Sequence, residues 1–374
     1  MDRIPLMVPN ITDDDIAAVV AVLRSGNLVQ GENVEALEHE VAEYLGAKHV
    51  VAVSNGTASL HLALVALGVG PGDEVIVPAF SFVATANVVE IVGARCVFVD
   101  IDLDTFNIDV SRIEDAITPR TKAIIPVHEF GLACDVSDLM AIARKHGLFV
   151  IEDAACALGA TENGKFVGTF GDVGSFSLHP RKAVTSGEGG LIVTDDDHLA
   201  RQFRILRNHG IEIRDGRTEF TAAGFNYRMT DFQAALVRGQ FARLETKIDR
   251  RNQLADLYNA ELAGADSLGL PQLPTGRRHA WQTYHALLIE RDRRDWVVKQ
   301  LGQKGIGSNY GAQCIPNVEY YKGKYKLDSA VSFPNAYSAQ VNGLALPMYE
   351  SLSDEDIIKV TSDLTAILYR SASA

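Results

Sequence analysis

The feature that most constrains the fold is an alternation running through the first half of the chain, in which short β-rich runs are separated by segments of helical length and period. HVVAV gives way to TASLHLALVAL, DEVIVPAF to ATANVVEIVG, and RCVFVDID is followed further on by TKAIIPVHEF, DVSDLMAIARKHG and LFVIED. Strands joined through helix-length crossovers pair in parallel, and their apolar character calls for cover on both faces of the sheet. The pattern predicts an α/β fold with a mostly parallel central sheet. GSFSL and GGLIVTD look like two further strands flanking a loop. At the N-terminus, Thr12 before three aspartates announces a helix whose apolar face is Ile16, Val19, Val20 and Leu23, stopped at Ser25-Gly26, with a second helix from about Val34 to Leu45.

From Asp231 one long helical pattern, rich in Gln, Ala, Arg and Leu, runs toward Leu262. Beyond it come a Pro/Gly stretch (GLPQLPTG), a strand-like YHALLIE, a helix in DWVVKQLGQKG and a terminal helix opened by Ser353 with Asp356 three residues on. These read as a smaller α+β domain, which divides the chain into residues 1–245 and 246–374.

Composition narrows the class. With 374 residues, 47% hydrophobic, the chain has material for a large core, and no apolar run reaches the ~20 residues a membrane-spanning helix needs. The opening MDRIPLMVPNITDDD has neither the basic start nor the apolar stretch of a signal peptide, so a cytoplasmic location is expected. A net charge of −13 without a basic run argues against nucleic acid as a partner. Cys96, Cys134, Cys156 and Cys314 are scattered without metal-ligand or disulfide spacing, so neither a metal site nor a disulfide framework is indicated.

Several motifs are bland on inspection. The run from Gly159 to Phe166 resembles a Walker A loop, but Phe166 has no hydroxyl for magnesium, and a turn is the better reading. Gly68-Val-Gly70-Pro-Gly72 follows a helix rather than a strand and reads as a helix stop. In VAVSNGTASLHLAL, by contrast, a strand ends where a helix begins, so free backbone N–H groups there suit either a phosphate or an ordinary connection capped by Ser54 or Thr57. Asp153 closes the apolar strand IED at the carboxyl edge of the sheet, where open α/β folds bind ligands, or else caps the segment after it. Downstream, SFSLHPRKAVTSGEGG sets Lys182 after a strand and before a Gly-rich loop, where it reads either as a solvated side chain or as an imine-forming nucleophile.

In order along the chain, SNGTASL, PAFSFVATAN, IEDAACALGA, SFSLHPRK with GEGG, LRNHG and GFNYRMTDFQAAL resemble the DegT/DnrJ/EryC1/StrS family of pyridoxal 5′-phosphate (PLP) aminotransferases, which act mainly on keto sugars. The resemblance implies an aspartate aminotransferase-like fold (fold type I) with a large cofactor-binding domain and a smaller C-terminal one. Lys182 corresponds to the lysine that condenses with the cofactor aldehyde and then moves the proton; the family's dehydratases carry histidine there, so lysine implies amino transfer. Asp153 matches the acid that pairs with the pyridine nitrogen, and Phe82 the aromatic stacked on the ring. Gly56, Thr57 and Ser177 match the phosphate cup, and Asn226 resembles the residue that reaches the phosphate from a neighbouring subunit, which implies a homodimer with shared sites.

By the same resemblance Arg228 is a candidate for the donor's carboxylate. Cys156 stands where many relatives carry Gln or His toward the cofactor's O3′ and makes only a weak hydrogen bond. The segment IGSNYGAQCIPNVEYYKGKY departs from the family's usual pattern, with Tyr310, Pro316 and Asn317 where a substrate-facing histidine is expected. The expected reaction moves an amino group from L-glutamate to a nucleotide-linked 4-keto-6-deoxyhexose, in amino-sugar or surface polysaccharide biosynthesis. The alternatives are a 3-keto sugar, an inosose, a small phosphorylated ketone, or a PLP-binding regulator without turnover.

Overall fold

The structure, a computed structural model, describes residues 3–371. A seven-stranded sheet forms the centre, in the order 49–53, 190–194, 173–177, 149–153, 121–124, 74–78 and 95–99. Strand Gly190–Thr194 runs antiparallel to both neighbours, and the pairings among the remaining strands are parallel. This is the mostly parallel α/β sheet that the alternation predicts, and GSFSL and GGLIVTD are indeed a hairpin-like pair within it. Helices Gly56–Ala66 and Ala84–Ile91 and helix Val136–His146 contribute to its apolar cover. A separate core gathers Leu254, Tyr258, Tyr284, Val297, Leu344 and Val360 of the C-terminal region around a small sheet of 268–269, 284–288 and 343–346, and Ile4 joins it. Ser353 opens the last helix with the expected reciprocal cap, accepting from Asp356 N at 3.0 Å.

Three local expectations change. The pattern from Asp231 is two helices, Asp231–Phe241 and Leu244–Leu262, because Arg243 leaves helical geometry (φ −107°, ψ 10°) where its guanidinium reaches the buried Asp15 carboxyl at 2.6 Å. The same contact rotates the first helix, Asp13–Ser25. Asp15 and Val22 face inward at the Gly239 crossing, where a Cβ would meet Asp15 Oδ1 at 2.2 Å, and Ile16 (52%) and Leu23 (49%) are left exposed. Helix Gly56–Ala66 is capped by Asn55, whose Oδ1 accepts from Ala58 N at 2.8 Å, rather than by Ser54 or Thr57. The Walker-like run is a turn as expected: Thr161–Glu162 pairs with Lys165–Phe166 around Asn163 and Gly164, both at positive φ.

Candidate active site

Strand Phe149–Asp153 delivers Asp153 to the carboxyl edge of the sheet, locked beside the segment that follows strand Thr121–Ile124. Asp153 N donates to Pro126 O at 2.8 Å, and its carbonyl accepts from His128 N at 3.0 Å. The carboxylate is buried. Its Oδ2 accepts from Thr85 Oγ1 at 2.8 Å and its Oδ1 from Ala155 N at 3.2 Å. Burial raises its pKa, against the pull of those two hydrogen bonds and of the Lys182 charge. Such an acid is ready for a cationic partner.

Alternation along the strand turns its neighbour Glu152 to the opposite face, where Gly168 N, Phe170 N, Gly171 N and His128 Nε2 donate to it at 2.7 to 3.0 Å. Burial opposes ionisation of Glu152, but the hydrogen bonds from His128 and from the backbone donors outweigh it and lower its pKa. Because His128 Nδ1 accepts from Cys134 N at 3.1 Å, Nε2 is the nitrogen carrying the proton toward Glu152. Glu152 and His128 thus fix the backbone from which Asp153 projects.

Lys182 lies in the turn after strand Val173–Ser177, with its backbone N–H donating to His179 O at 2.8 Å. Its ammonium donates to Cys156 Sγ at 3.0 Å. Burial pushes the Cys156 thiol up, so Cys156 is a neutral neighbour of Lys182. The charge of Lys182 also lowers the pKa of Asp153 and Cys156 against their burial.

At the start of helix Gly56–Ala66 the first N–H groups, on Gly56 and Thr57, have no intrahelical acceptor. Gly56 closes against Ser177, where an added Cβ would lie 3.0 Å from Ser177 Cβ and 3.4 Å from its Oγ. Thr57 is exposed beside it. Phe82 follows the short strand Phe80–Ser81 and is 64% exposed. The structure thus brings Gly56 and Ser177 together, and Lys182, Asp153 and Cys156 together.

Asn226 is exposed in an extended segment bridged to Asn208, and Arg228 of the same segment bridges to Val53 and donates to Asn208 Oδ1. Tyr310 is also exposed and accepts from Gln313 Nε2 at 3.2 Å. Its segment reaches the site edge because Gln313–Cys314 pairs with Phe80–Ser81. Thr85, Ser81 and Glu129 were not singled out in the sequence. Thr85 and Ser81 look like ordinary residues of a helix start and a strand, whereas a glutamate closing the apolar TKAIIPVHEF is a signal that could have found Glu129.

Among the described residues no helix is long and apolar enough to cross a membrane, and no group of three or more His, Cys, Asp or Glu side chains could hold a metal ion.

Comparison with known proteins gives this geometry a family. Residues 9–365 match the model of the DegT/DnrJ/EryC1/StrS aminotransferase family. The chain is 41% identical to GDP-perosamine synthase of Caulobacter vibrioides, over 90% of this chain and 91% of that one. It is 40% identical to a UDP-N-acetyl-3-dehydro-α-D-glucosamine 3-aminotransferase of Acidithiobacillus ferrooxidans, over 96% and 95% of the two chains. Its structure superposes on Spr1654 of Streptococcus pneumoniae in the PLP form with a TM-score of 0.93, 30% identity and 99% of both chains covered, and Spr1654 is also known in the PMP form. The fold is therefore that of the PLP-dependent aminotransferases and the cofactor is PLP. The residues present fit it: a buried acid awaiting a cation, an amine facing that acid, and unpaired helix N–H groups beside a hydroxyl. The chain belongs to the DegT/DnrJ/EryC1/StrS aminotransferase family and is a PLP-dependent sugar aminotransferase.

Proposed function

We propose that this enzyme takes the amino group of L-glutamate and delivers it to the ketone of a nucleotide-linked 4-keto-6-deoxyhexose, in amino-sugar or surface polysaccharide biosynthesis. The observation that carries the reading is the convergence of the Lys182 amine and the buried Asp153 carboxylate at the carboxyl edge of the sheet. When bound, PLP supplies an aldehyde for an amine and a ring that accepts an electron pair from the substrate carbon. In this reading Lys182 holds the cofactor and, once released, carries the proton. Asp153 holds the ring nitrogen's proton, kept in line by Thr85. Gly56, Thr57 and Ser177 anchor the phosphate, Phe82 covers the ring face, and Cys156 borders Lys182. Arg228 and Tyr310 serve the substrates. The GDP- and UDP-sugar names of the two relatives support a nucleotide-linked acceptor.

The working unit is a homodimer with Asn226 contributed across the interface. Supporting this, Ile213 and Phe220 stand exposed at 65% and 72% on the hairpin of Ile211–Arg214 and Arg217–Phe220 that precedes Asn226, and Ile16 and Leu23 are uncovered on the first helix. The four free thiols suit a cytoplasmic setting.

A 3-keto sugar acceptor is the second reading. It is favoured by the 3-dehydro sugar in the name of the Acidithiobacillus relative and by the divergent segment carrying Tyr310, which borders the site through Gln313–Cys314. The test is to load the protein with pyridoxamine phosphate and offer GDP-, UDP- and TDP-linked 4-keto and 3-keto sugars. Return of the aldehyde absorbance with a 4-keto sugar supports the first reading, and return only with a 3-keto sugar replaces it with the second. Borohydride reduction followed by peptide mapping should put the cofactor on Lys182.

A further inference from the structure

The chain borders the small C-terminal sheet at Asn309, which pairs with Ala345, and re-enters that sheet at Gly343. In between, Cys314, Ile315, Tyr321, Phe333 and Ala336 pack into the core of the large sheet instead. Both crossings close on one buried side chain, His285 of strand Tyr284–Leu288. A Cβ on Gly311 would lie 2.6 Å from His285 Cδ2, and one on Gly343 would lie 2.5 Å from its Nε2. Gly311 also holds φ 79°, which a side chain would strain.

The imidazole is stacked on Phe130, with 4.3 Å between ring centres, and meets the edge of Phe106 at 4.6 Å. Phe130 adopts φ 54°, a conformation that a non-glycine residue keeps only where its surroundings over-determine it. Two residues earlier, His128 N donates to Asp153 O at 3.0 Å. Direct contacts therefore lead from the strand end bearing Asp153, through the turn of Phe130, to the His285 ring.

The next link is a hydrogen bond. His285 Nε2 lies 3.3 Å from Tyr310 O, and because a carbonyl only accepts, Nε2 carries the proton while Nδ1, which has no partner, is bare. Burial pushes the imidazole down to about 3, so the ring stays neutral in that tautomer. The Tyr310 hydroxyl accepts from Gln313 Nε2 at 3.2 Å, and the Arg294 guanidinium lies 5.6 Å over its ring. Ser308 Oγ and Gln313 Oε1 are buried without partners, so those oxygens do nothing to tie the turn down. Its main chain is held by the Asn309–Ala345 pair, at 2.8 and 3.4 Å, and by His285.

We propose that His285 is a positioning residue for the acceptor ketone: it fixes the main chain at Tyr310 against the turn of Phe130 and so sets where the Tyr310 side chain stands. The inference rests on the reading that the Tyr310 segment meets the acceptor. Arg228, not Tyr310, is the residue assigned above to the donor's carboxylate, so the two half-reactions separate.

His285→Leu removes the donor to Tyr310 O and keeps an apolar filling, whereas His285→Gln returns an amide N–H near the place of Nε2. Single turnovers read the halves apart, L-glutamate with the PLP form and a keto sugar with the pyridoxamine form. His285→Leu should raise the half-saturating keto-sugar concentration about tenfold, with the glutamate half-reaction and the absorbance of the PLP form changed less than about twofold. His285→Gln should recover most of the loss. Equal losses in both halves, or an unchanged acceptor half, overturn the proposal. Should His285→Leu fail to fold, nitrogen NMR of the histidine-labelled unaltered protein decides. The Nε2-protonated tautomer should persist from about pH 5 to 9, and a proton on Nδ1 or a titration in that range overturns the proposal. A protein that accepts no keto sugar at all would instead overturn the acceptor reading, and the NMR would still decide whether His285 holds Tyr310.

Discussion

Asp153 is kept ionisable at a structural cost. Burial favours its neutral form, so in the cofactor-free protein the raised pKa contributes stability at low pH that is lost as pH rises through the folded value. Asp153→Asn removes that loss. Its amide can still meet Ala155 N and the Thr85 hydroxyl, so the variant should unfold at higher temperature than the unaltered protein at pH 8 without cofactor, by about 1 kcal/mol, while binding PLP far more weakly. Calorimetry of both cofactor-free proteins checks the first part, and an equal or lower Tm would contradict it. Glu152 behaves in the opposite sense. Its lowered pKa gives stability present above the ordinary 4.5 and lost as pH falls through the folded value, and Glu152→Ala should cost about 3 to 5 kcal/mol in urea unfolding, because three backbone donors and His128 lose their acceptor. Local pattern placed Asp153 at a strand end and Lys182 in the loop after one, but left each with a bland alternative, and the roles proposed for them came from the ordered motifs. Thr85 could not be read at all, since what it does depends on a carboxylate distant in the chain.

Among the elements, the start of helix Gly56–Ala66 is held by close backbone approach. A Cβ on Gly190 would fall 2.5 Å from Asn55 C and O and 2.8 Å from Gly56 N, so Gly190→Ala must push the helix start out of place. The expected result is a loss of about 1 to 3 kcal/mol in stability together with a weaker grip on PLP, read by urea unfolding and by fluorescence titration of the cofactor-free protein. A variant that binds PLP as tightly as before would show that the phosphate is held elsewhere. The strands and most helices could be read from period alone. The break at Arg243 and the rotation of the first helix could not, because both are set by one ion pair spanning the chain, Asp15 with Arg243. Residues 231–262 have helical period throughout, and Ile16 and Leu23 have the spacing of a core face, so pattern and packing disagree at these places.

For the whole molecule, the uncovered apolar side chains carry the next expectation. Ile213→Asp combined with Phe220→Asp should leave the fold intact, since both are exposed on a hairpin edge, yet turn the proposed dimer into monomers in sedimentation experiments and abolish turnover with it. A dimer unchanged by both substitutions would remove that hairpin from the interface. The order of the motifs made the fold and cofactor legible, whereas the acceptor was not, because the residues that select it lie on segments whose neighbours only folding supplies. The two-residue ladder of Gln313–Cys314 on Phe80–Ser81 makes this concrete. Main-chain atoms fasten that ladder, and of the residues before it Gly311 alone is fixed by space, since an added Cβ there would lie 2.6 Å from His285 Cδ2. In the proposed reading this segment is a selectivity cassette clipped beside permanent chemical machinery. Swapping positions 308–310 and 312 for a relative's, with Gly311 kept, should redirect the kcat/KM ratio between two ketones while the absorbance of the bound vitamin stays as it was.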